Sequence, residues 1–260
     1  MGTPTLIARR AGHALVLRLH RPARRNAINA AMMEELEAAL RAAGADARVA
    51  GVVLTGGSAY FSAGADLHEL SRLATAQQRL NYFGRWQRLC DALESLDKPV
   101  LAAVEGFCLT GGLELALACD LRVAGAGASF AVTSARLGTI PAFGATQRLP
   151  RLLGRGPALD LLLSARPVDA QEAQRLGLIQ RLAPAGQALA EAQRIVEGCA
   201  ELAPLSLALI KRAVHQGLQM DLASGLQLEA ALATAIYGTE DRREGIAAFL
   251  HKRKASFRGK

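Results

Sequence analysis

The chain has 260 residues, of which 51% are hydrophobic and 21% are charged, as in ordinary globular proteins. This length suits one large domain, or a domain with an appendage, and suffices to bury a sizeable core. The formal net charge of +8 allows a nucleic-acid surface, an arginine-rich solvated surface or a site for a polyanionic small ligand. The charges are scattered, and aromatic residues that stack on bases make up only 4%, which argues against nucleic acid.

The sequence shows no targeting or membrane segment. In the first ten residues the charges follow the apolar residues, unlike in a secretory signal. The longest apolar run, 99–119, is interrupted by Glu105 and Glu114, which excludes a membrane span. The four cysteines are widely spaced without a CxxC pair, so we expect isolated buried thiols rather than a metal site or disulfides. These features predict a soluble cytoplasmic protein.

Apolar periodicity predicts strands alternating with helices along the first two-thirds of the chain. The predicted strands are 14–19, 49–54, 100–104, 121–124 and 129–132, and the predicted helices are 30–43, 79–96, 113–119 and one that begins at Asp66. This alternation indicates an α/β fold with right-handed crossovers. From about residue 171 the pattern predicts helices only, packed on the α/β core or on a neighbouring subunit.

Two glycine-containing loops, Ser62–Asp66 and Leu109–Glu114, each follow an apolar strand and lead into a helix. The first N–H groups of a helix have no intrahelical partner, and glycine lets the backbone approach a ligand closely. Two such loops converging on one point would provide a pair of donors for an oxyanion. One loop alone is more simply explained as a tight turn, so the prediction depends on the pair.

Glu114 is the charged residue of the second loop, within an otherwise apolar stretch. It lies one helical turn after Gly111, so both residues share a helix face. Burial raises a carboxyl pKa and a helix N-terminus lowers it, which suits a group that exchanges protons near neutrality. The alternative is a structural glutamate that caps the helix or forms a buried ion pair.

Four stretches resemble the enoyl-CoA hydratase/isomerase (crotonase) superfamily: 54–70, 98–124, 137–154 and 240–254. The resemblance covers essentially the whole chain. It implies an α/β fold, a crotonase-like spiral of ββα units with a C-terminal helical segment, assembled as trimers or as dimers of trimers. We therefore divide the chain into a core carrying the CoA thioester site, residues 1–195, and a helical oligomerisation segment, residues 196–260.

The resemblance also implies roles for individual residues. The backbone N–H groups of Ala65 and Gly111 match the pair that holds the thioester carbonyl. Arg24 and Arg25 lie where contacts to CoA phosphates are expected, and Phe249 and Lys252 match residues that reach the CoA of an adjacent subunit. The remaining residues expected along the CoA path are Ala63, Gly64, Asp66, Leu67 and Gly112. No cofactor is implied, because coenzyme A is part of the substrate.

The sequence departs from the family pattern at one position. Hydratases of this superfamily use two glutamates to hold and activate water; Glu114 matches the first, whereas Ser134 stands where the second is expected. A hydroxyl orients water but is not a base at neutral pH. Losing one of two acid/base groups costs about 10²–10⁴-fold in rate. The polar candidates that remain are Thr133, Ser134 and His68.

The sequence therefore predicts an acyl-CoA enzyme, first an enoyl-CoA hydratase that uses an oxyanion hole and Glu114. The alternatives are enoyl-CoA isomerisation, another crotonase-type reaction such as decarboxylation or thioester hydrolysis, and a non-catalytic CoA- or RNA-binding protein. We expect the segment 71–86 to shape the acyl pocket.

Overall fold

The computed structural model describes residues 4–260, which form ten strands and eleven helices. The strands are β1 (Leu6–Ala11), β2 (Ala14–Leu19), β3 (Gly51–Thr55), β4 (Tyr60–Ser62), β5 (Val100–Val104), β6 (Phe107–Leu109), β7 (Leu121–Gly125), β8 (Ser129–Ala131), β9 (Val168–Asp169) and β10 (Arg181–Ala183). They build a six-stranded sheet in the order β1-β2-β3-β5-β7-β10 and a four-stranded sheet in the order β4-β6-β8-β9.

The helices cover both sheets and form the C-terminal part of the chain. They are α1 (Ala30–Ala45), α2 (Leu67–Leu70), α3 (Ala76–Ser95), α4 (Gly111–Leu117), α5 (Ala145–Leu153), α6 (Arg155–Ser164), α7 (Ala170–Leu176), α8 (Ala188–Cys199), α9 (Pro204–Gly217), α10 (Leu222–Tyr237) and α11 (Glu240–Leu250). Short 3₁₀ turns occupy Pro22–Arg24 and Ser134–Leu137.

Successive strand pairs repeat one pattern. In β3/β4, β5/β6 and β7/β8 the first strand joins the large sheet and the second joins the small one. Within each sheet the strands from these three pairs run parallel to one another, as crossover connections require, whereas β9 joins β8 antiparallel. The predicted α/β spiral of ββα units is confirmed.

Several predicted boundaries need correction. The region after residue 171 is not purely helical, because β10 pairs parallel with β7 and extends the large sheet. Strand β1, which pairs antiparallel with β2, was not predicted because only its first residue is buried and its side chains show no apolar alternation. Helix α4 begins at Gly111 rather than at Leu113. The division into 1–195 and 196–260 stays a prediction, and its boundary lies within α8.

The large sheet buries both of its faces. On one face a broad aliphatic core includes Met32 and Leu36 of α1 and Leu89 of α3. On the other face, small residues of α8 such as Ala192 and Val196 pack against strand residues including Val53. Central strands β3 and β5 are buried along their whole length, which explains why they read as continuous apolar runs.

The C-terminal helices are covered less completely. Helix α10 contributes no buried residue, although it carries Leu222 and Leu226. Large apolar side chains on α9 and α11, such as Ile210 and Phe249, are also exposed. Within residues 4–260, none of the helices has both the length and the apolar character needed to cross a membrane.

Candidate active site

The first glycine loop is held in place by the segment before α1. Ile28 donates its N–H to the Gly64 carbonyl (2.8 Å) and accepts from the Asp66 N–H (2.9 Å). The Ala65 N–H between these two contacts donates no hydrogen bond to any atom of residues 4–260. Asp66 caps α2 by accepting from the His68 N–H (2.9 Å) and forms an ion pair with Arg21 (2.8 Å).

Asn26 and Ser62 fix the conformation of the same loop. The buried Asn26 amide donates to the carbonyls of Gly56 (2.9 Å) and Phe61 (3.1 Å). The Ser62 hydroxyl donates to the Asn26 carbonyl (2.8 Å) and accepts from the Gly64 N–H (3.0 Å). This asparagine was assigned no role from the sequence.

The second loop brings its own free N–H to the same place. Gly111 begins α4, and its N–H has no acceptor within residues 4–260. A Cβ built on Gly111 would lie 2.9 Å from the Ala65 nitrogen, so the two loops touch at the two predicted donors. The predicted convergence of the glycine loops is therefore present in the structure.

The flanking glycines allow this close approach. Gly64 has a φ of +103°, and a Cβ there would lie 3.1 Å from the Leu109 carbonyl and 3.2 Å from the Gly111 nitrogen. Gly112 is buried, and a Cβ on it would meet the Ser62 side chain at 2.8 Å. Gly112 was predicted to bind substrate. In the structure it packs the second loop against the first.

A pair of threonines joins the second loop to the strand that follows. The Thr110 and Thr133 hydroxyls are 2.9 Å apart, and the Thr133 N–H donates to the Thr110 hydroxyl (3.0 Å). The Thr110 N–H donates to the Ala131 carbonyl (2.8 Å). Thr110 adopts φ 40° and ψ −105°, close to the first central position of a type II′ turn that favours glycine.

Glu114 is fully buried one turn into α4, with a carboxylate that is only half satisfied. Its Oε1 accepts from the N–H groups of Phe143 (2.8 Å) and Ala145 (3.1 Å). Its Oε2 is buried without a hydrogen-bond partner among residues 4–260. Burial raises the Glu114 pKa above its ordinary value, although the two N–H donors oppose the shift. One carboxylate oxygen is thus anchored, and the other is available to a ligand.

Ser134 belongs to a segment that contacts the second loop through Thr133. It is buried at the start of the 3₁₀ turn and directly follows Thr133, whose partner Thr110 directly precedes Gly111. Its carbonyl accepts from the Thr139 N–H (3.1 Å) and hydroxyl (3.1 Å). The structure thus brings the segment of Ser134 to the second loop.

Three aromatic residues that were not assigned individual roles from the sequence form a cluster around Phe143, whose N–H donates to the buried carboxylate. Trp86 stacks on Phe143 with ring centroids 4.0 Å apart and an interplanar angle of 10°. Tyr82 contacts the same ring edge-on at 6.1 Å. The Cη2 atom of Trp86 would lie 3.3 Å from a Cβ on Gly111. Tyr82 and Trp86 both belong to the segment 71–86, which was predicted to shape the acyl pocket.

Of the residues expected to bind CoA, Gly64, Asp66 and Gly112 are buried, and the exposed ones lie in two groups. Arg24 is exposed and bonds the His68 imidazole (3.0 Å), which places this candidate histidine beside the predicted phosphate-binding turn. Arg25, also exposed, accepts from the Ala63 N–H through its carbonyl (3.0 Å). Leu67 at the start of α2 is 56% exposed. The second group, Phe249 and Lys252, is exposed at the end of α11.

The remaining candidates for chemistry have structural roles. Cys90, Cys108 and Cys119 are buried and unpaired, and Cys199 is half-buried, which confirms the predicted isolated thiols. Asp120 anchors helix α9 through Lys211 (2.9 Å). Within the described part of the chain, no three His, Cys, Asp or Glu side chains are arranged to hold a metal ion.

The family model for enoyl-CoA hydratase/isomerase matches residues 9–260. A probable enoyl-CoA hydratase of Rhizobium meliloti (strain 1021) is 40% identical over 99% of each chain. The 2,3-dehydroadipyl-CoA hydratase of Escherichia coli (strain K12) is 40% identical over 98% of this chain and 99% of its own. The crystal structure of an enoyl-CoA hydratase from Bacillus anthracis superposes with a TM-score of 0.93 at 36% identity, covering 98% of this chain and 100% of that one.

The class that fold and site define is therefore the crotonase superfamily. The chain belongs to the enoyl-CoA hydratase/isomerase family of acyl-CoA enzymes, as its motifs predicted.

Proposed function

We propose that the chain adds water reversibly to a 2-enoyl-CoA, with one carboxyl group moving the proton. The observation that carries this proposal is the position of Glu114, whose free Oε2 is buried one turn after Gly111. The N–H groups of Ala65 and Gly111 are free and adjacent, which suits two donors to a single thioester oxygen. No cofactor is needed, since coenzyme A is part of the substrate.

The proposed reaction proceeds through an enolate. The Glu114 carboxylate takes a proton from water while the water oxygen bonds to C3 of the enoyl group. The C2=C3 electron pair shifts so that negative charge develops on the thioester oxygen, where the two N–H groups stabilise it. The protonated Glu114 then delivers the proton to C2, and the carbonyl double bond re-forms. Atoms and charge balance with one acid/base group.

We propose that Ser134 is the position at which this chain departs from family hydratases. We propose that its hydroxyl replaces the second glutamate of family hydratases and orients the attacking water without removing its proton. The raised pKa of Glu114 supports a double role for that residue, because a carboxyl group whose pKa lies closer to neutrality both accepts and returns a proton.

Double-bond isomerisation is the second candidate, and the presence of a single carboxyl group favours it. Moving a proton from C4 or C2 of an enoyl-CoA to the other carbon requires one acid/base group and the same oxyanion hole. It requires no oriented water. The product formed from matched 2-enoyl-CoA and 3-enoyl-CoA substrates separates the two reactions: the proposal requires a 3-hydroxyacyl-CoA from the 2-enoyl substrate.

We further propose that CoA lies across the first loop and that the chain assembles as a trimer or hexamer in the cytoplasm. The exposed Arg24 and Arg25 beside the loop supply positive charge for phosphates. The exposed apolar side chains of α9–α11, including Phe249, supply a surface for a neighbouring copy. Sedimentation velocity tests the assembly, and a monomer at micromolar concentration would contradict it.

Replacing the carboxyl group tests the proposed chemistry. We expect Glu114→Gln to lower kcat for hydration by about 10²–10⁴-fold, since the amide still accepts the two N–H bonds but moves no proton. Glu105→Gln is the matched control, because Glu105 is also buried and its Oε1 accepts the Ala188 N–H (2.9 Å). The proposed role of Glu114 is wrong if both variants keep wild-type rates on both enoyl substrates.

A second substitution tests the role of Ser134. We expect Ser134→Glu to raise the hydration rate by about 10²-fold, because it supplies a second acid/base group beside Glu114. Ser134→Ala is the matched variant, and it should lower the rate by about tenfold through loss of water orientation. Equal rates for Ser134→Glu and Ser134→Ala would show that this position does not act on the water.

A further inference from the structure

Three polar atoms without a hydrogen-bond partner within residues 4–260 belong to residues that contact Phe143. We call Tyr82, Trp86 and Phe143 the aromatic cluster. Within residues 4–260, five buried side-chain nitrogen or oxygen atoms have no hydrogen-bond partner. Three of them are the Tyr82 hydroxyl, the Trp86 indole nitrogen and Glu114 Oε2, each on a residue that contacts Phe143. Buried polar groups are nearly always paired, so this concentration points to a ligand.

The position of the two aromatic residues ties them to the reacting end of the site. Trp86 stacks on Phe143, and the Phe143 N–H donates to Glu114. The other end of the Trp86 ring contacts the loop at Gly111. Tyr82 lies one turn earlier on the same face of α3 and packs against the edge of Phe143. A group bound against both residues would therefore extend from the acyl carbons next to the thioester.

Both unpartnered aromatic groups are hydrogen-bond donors. The indole N–H only donates, and a phenol at neutral pH carries a proton to donate. Burial raises the pKa of Tyr82 to about 12, and the neighbouring Trp86 side chain opposes this shift, although the two groups do not meet hydrogen-bond geometry. Two phenylalanines would fill this space without the cost of unpaired donors, so the polar atoms fit a ligand that accepts hydrogen bonds.

The charges around the donors favour an uncharged acceptor. The Asp66 and Glu69 carboxylates are close enough to raise the Tyr82 pKa, and Glu114 adds a third acidic group. Arg148, which contacts the same aromatic cluster, forms an ion pair with Glu94 (2.5 Å) and donates to the Phe143 carbonyl (3.0 Å). A carboxylate on the acyl chain would therefore be repelled by Glu69 and Glu114.

We propose that the acyl pocket selects enoyl-CoA substrates whose acyl chain carries an uncharged oxygen, such as a ketone, ether or hydroxyl, bound by the Tyr82 O–H and the Trp86 N–H. This inference rests on the proposed function, because it assigns the substrate class of that site. It separates this chain from an enzyme for dicarboxylic acyl groups.

The test uses 2-enoyl-CoA thioesters of equal length that differ only beyond the double bond. The reference thioester, the methylene substrate, has an unsubstituted alkyl chain. In a second set, one methylene group is replaced by a carbonyl, at a different position in each compound. A third thioester ends in a carboxylate. We expect the best carbonyl substrate to exceed the methylene one by about 10–100-fold in kcat/KM. Tyr82→Phe should reduce that ratio about tenfold, and Trp86→Phe, which keeps the stacking on Phe143, should also reduce it.

Tyr237→Phe is the matched control, because that phenol is 63% exposed on α10 and far along the chain from the cluster. It should leave the ratio unchanged. A wild-type preference for the methylene or carboxylate substrate would overturn the inference while leaving the proposed hydration intact. So would a ratio that Tyr82→Phe does not alter.

If the wild-type protein converts none of the thioesters, the proposed hydration fails and binding tests the inference. Calorimetry with saturated acyl-CoA analogues of the same series then gives the ratio of Kd values for carbonyl and methylene ligands. The inference requires tighter binding of the carbonyl ligand and loss of that difference in Tyr82→Phe. Equal Kd values would overturn it.

Discussion

The two halves of the candidate site are built by different means. The half that we propose as the oxyanion hole consists of backbone N–H groups, and its geometry comes from two short loops whose glycines permit contact. The half that we propose for proton transfer consists of the Glu114 side chain, which is oriented by Phe143 and Ala145, about thirty residues further along the chain. The first half depends on local conformation, whereas the second depends on long-range packing.

This difference determines how each half tolerates substitution. A backbone N–H donor is lost only when the chain moves. A side chain added at one of the contact glycines would force such a movement. A side-chain acid is removed directly, and the two N–H groups that held it are then left without an acceptor. Substitutions that address only one half therefore separate the two contributions.

Among the substitutions that separate the two halves, we expect Gly111→Ala to have the largest effect on activity. The new Cβ would lie 2.9 Å from the Ala65 nitrogen and 3.3 Å from Trp86, so the two donors must move apart. We expect kcat/KM to fall by about 10²–10³-fold, as when one oxyanion donor is lost. Gly156→Ala is the control, since a Cβ there meets nothing within 4 Å. Equal activity of the two variants would contradict the assignment of the donors.

The same contrast explains what the sequence could predict. Val100–Val104 was predicted with its observed bounds because a strand buried on both faces reads as an apolar run. The convergence of the two glycine loops was predicted from local signals, glycine and helix starts. The assignment of Ala65 and Gly111 as donors came from the resemblance to a family and stays a prediction. The resemblance also supplied the spiral arrangement of the two sheets, which local periodicity does not encode.

Other parts of the site had no local signal. Nothing around Phe143 indicates that its N–H meets Glu114, because that contact spans 29 residues and depends on how α5 packs on α4. The Thr110 conformation was unexpected, since threonine rarely adopts a positive φ. Strand β10 was missed because three residues, only one of them buried, give too short a pattern.

A smaller effect concerns the stability of the proton-transfer half. Burial raises the Glu114 pKa, so between the ordinary value and the folded-state value the native protein binds more protons than the unfolded chain. Its free energy of unfolding therefore falls as pH rises through this window and stays lowered above it. Glu114→Gln removes this penalty but keeps an acceptor for the two N–H groups. We expect its Tm to exceed that of the wild type by about 2–4 °C at alkaline pH.

Thermal unfolding over a pH series measures this difference. The Tm gap between Glu114→Gln and wild type should widen as pH rises and then level off. Glu37→Gln on α1 is the control, because the Glu37 carboxylate forms no hydrogen bond or ion pair within residues 4–260. A gap that narrows with rising pH would show that the native state favours the ionised carboxylate instead.

The smallest effect concerns Thr110, which joins the second loop to Thr133 after β8. Thr110→Ala keeps the strained backbone and removes the acceptor of the Thr133 N–H, so we expect about 1–2 kcal/mol of destabilisation. Thr110→Gly loses the same hydrogen bond but relieves strain of about 1 kcal/mol at φ 40°. Urea unfolding should therefore find the glycine variant more stable than the alanine variant. An alanine variant more stable than the glycine variant would contradict the assignment of backbone strain to Thr110.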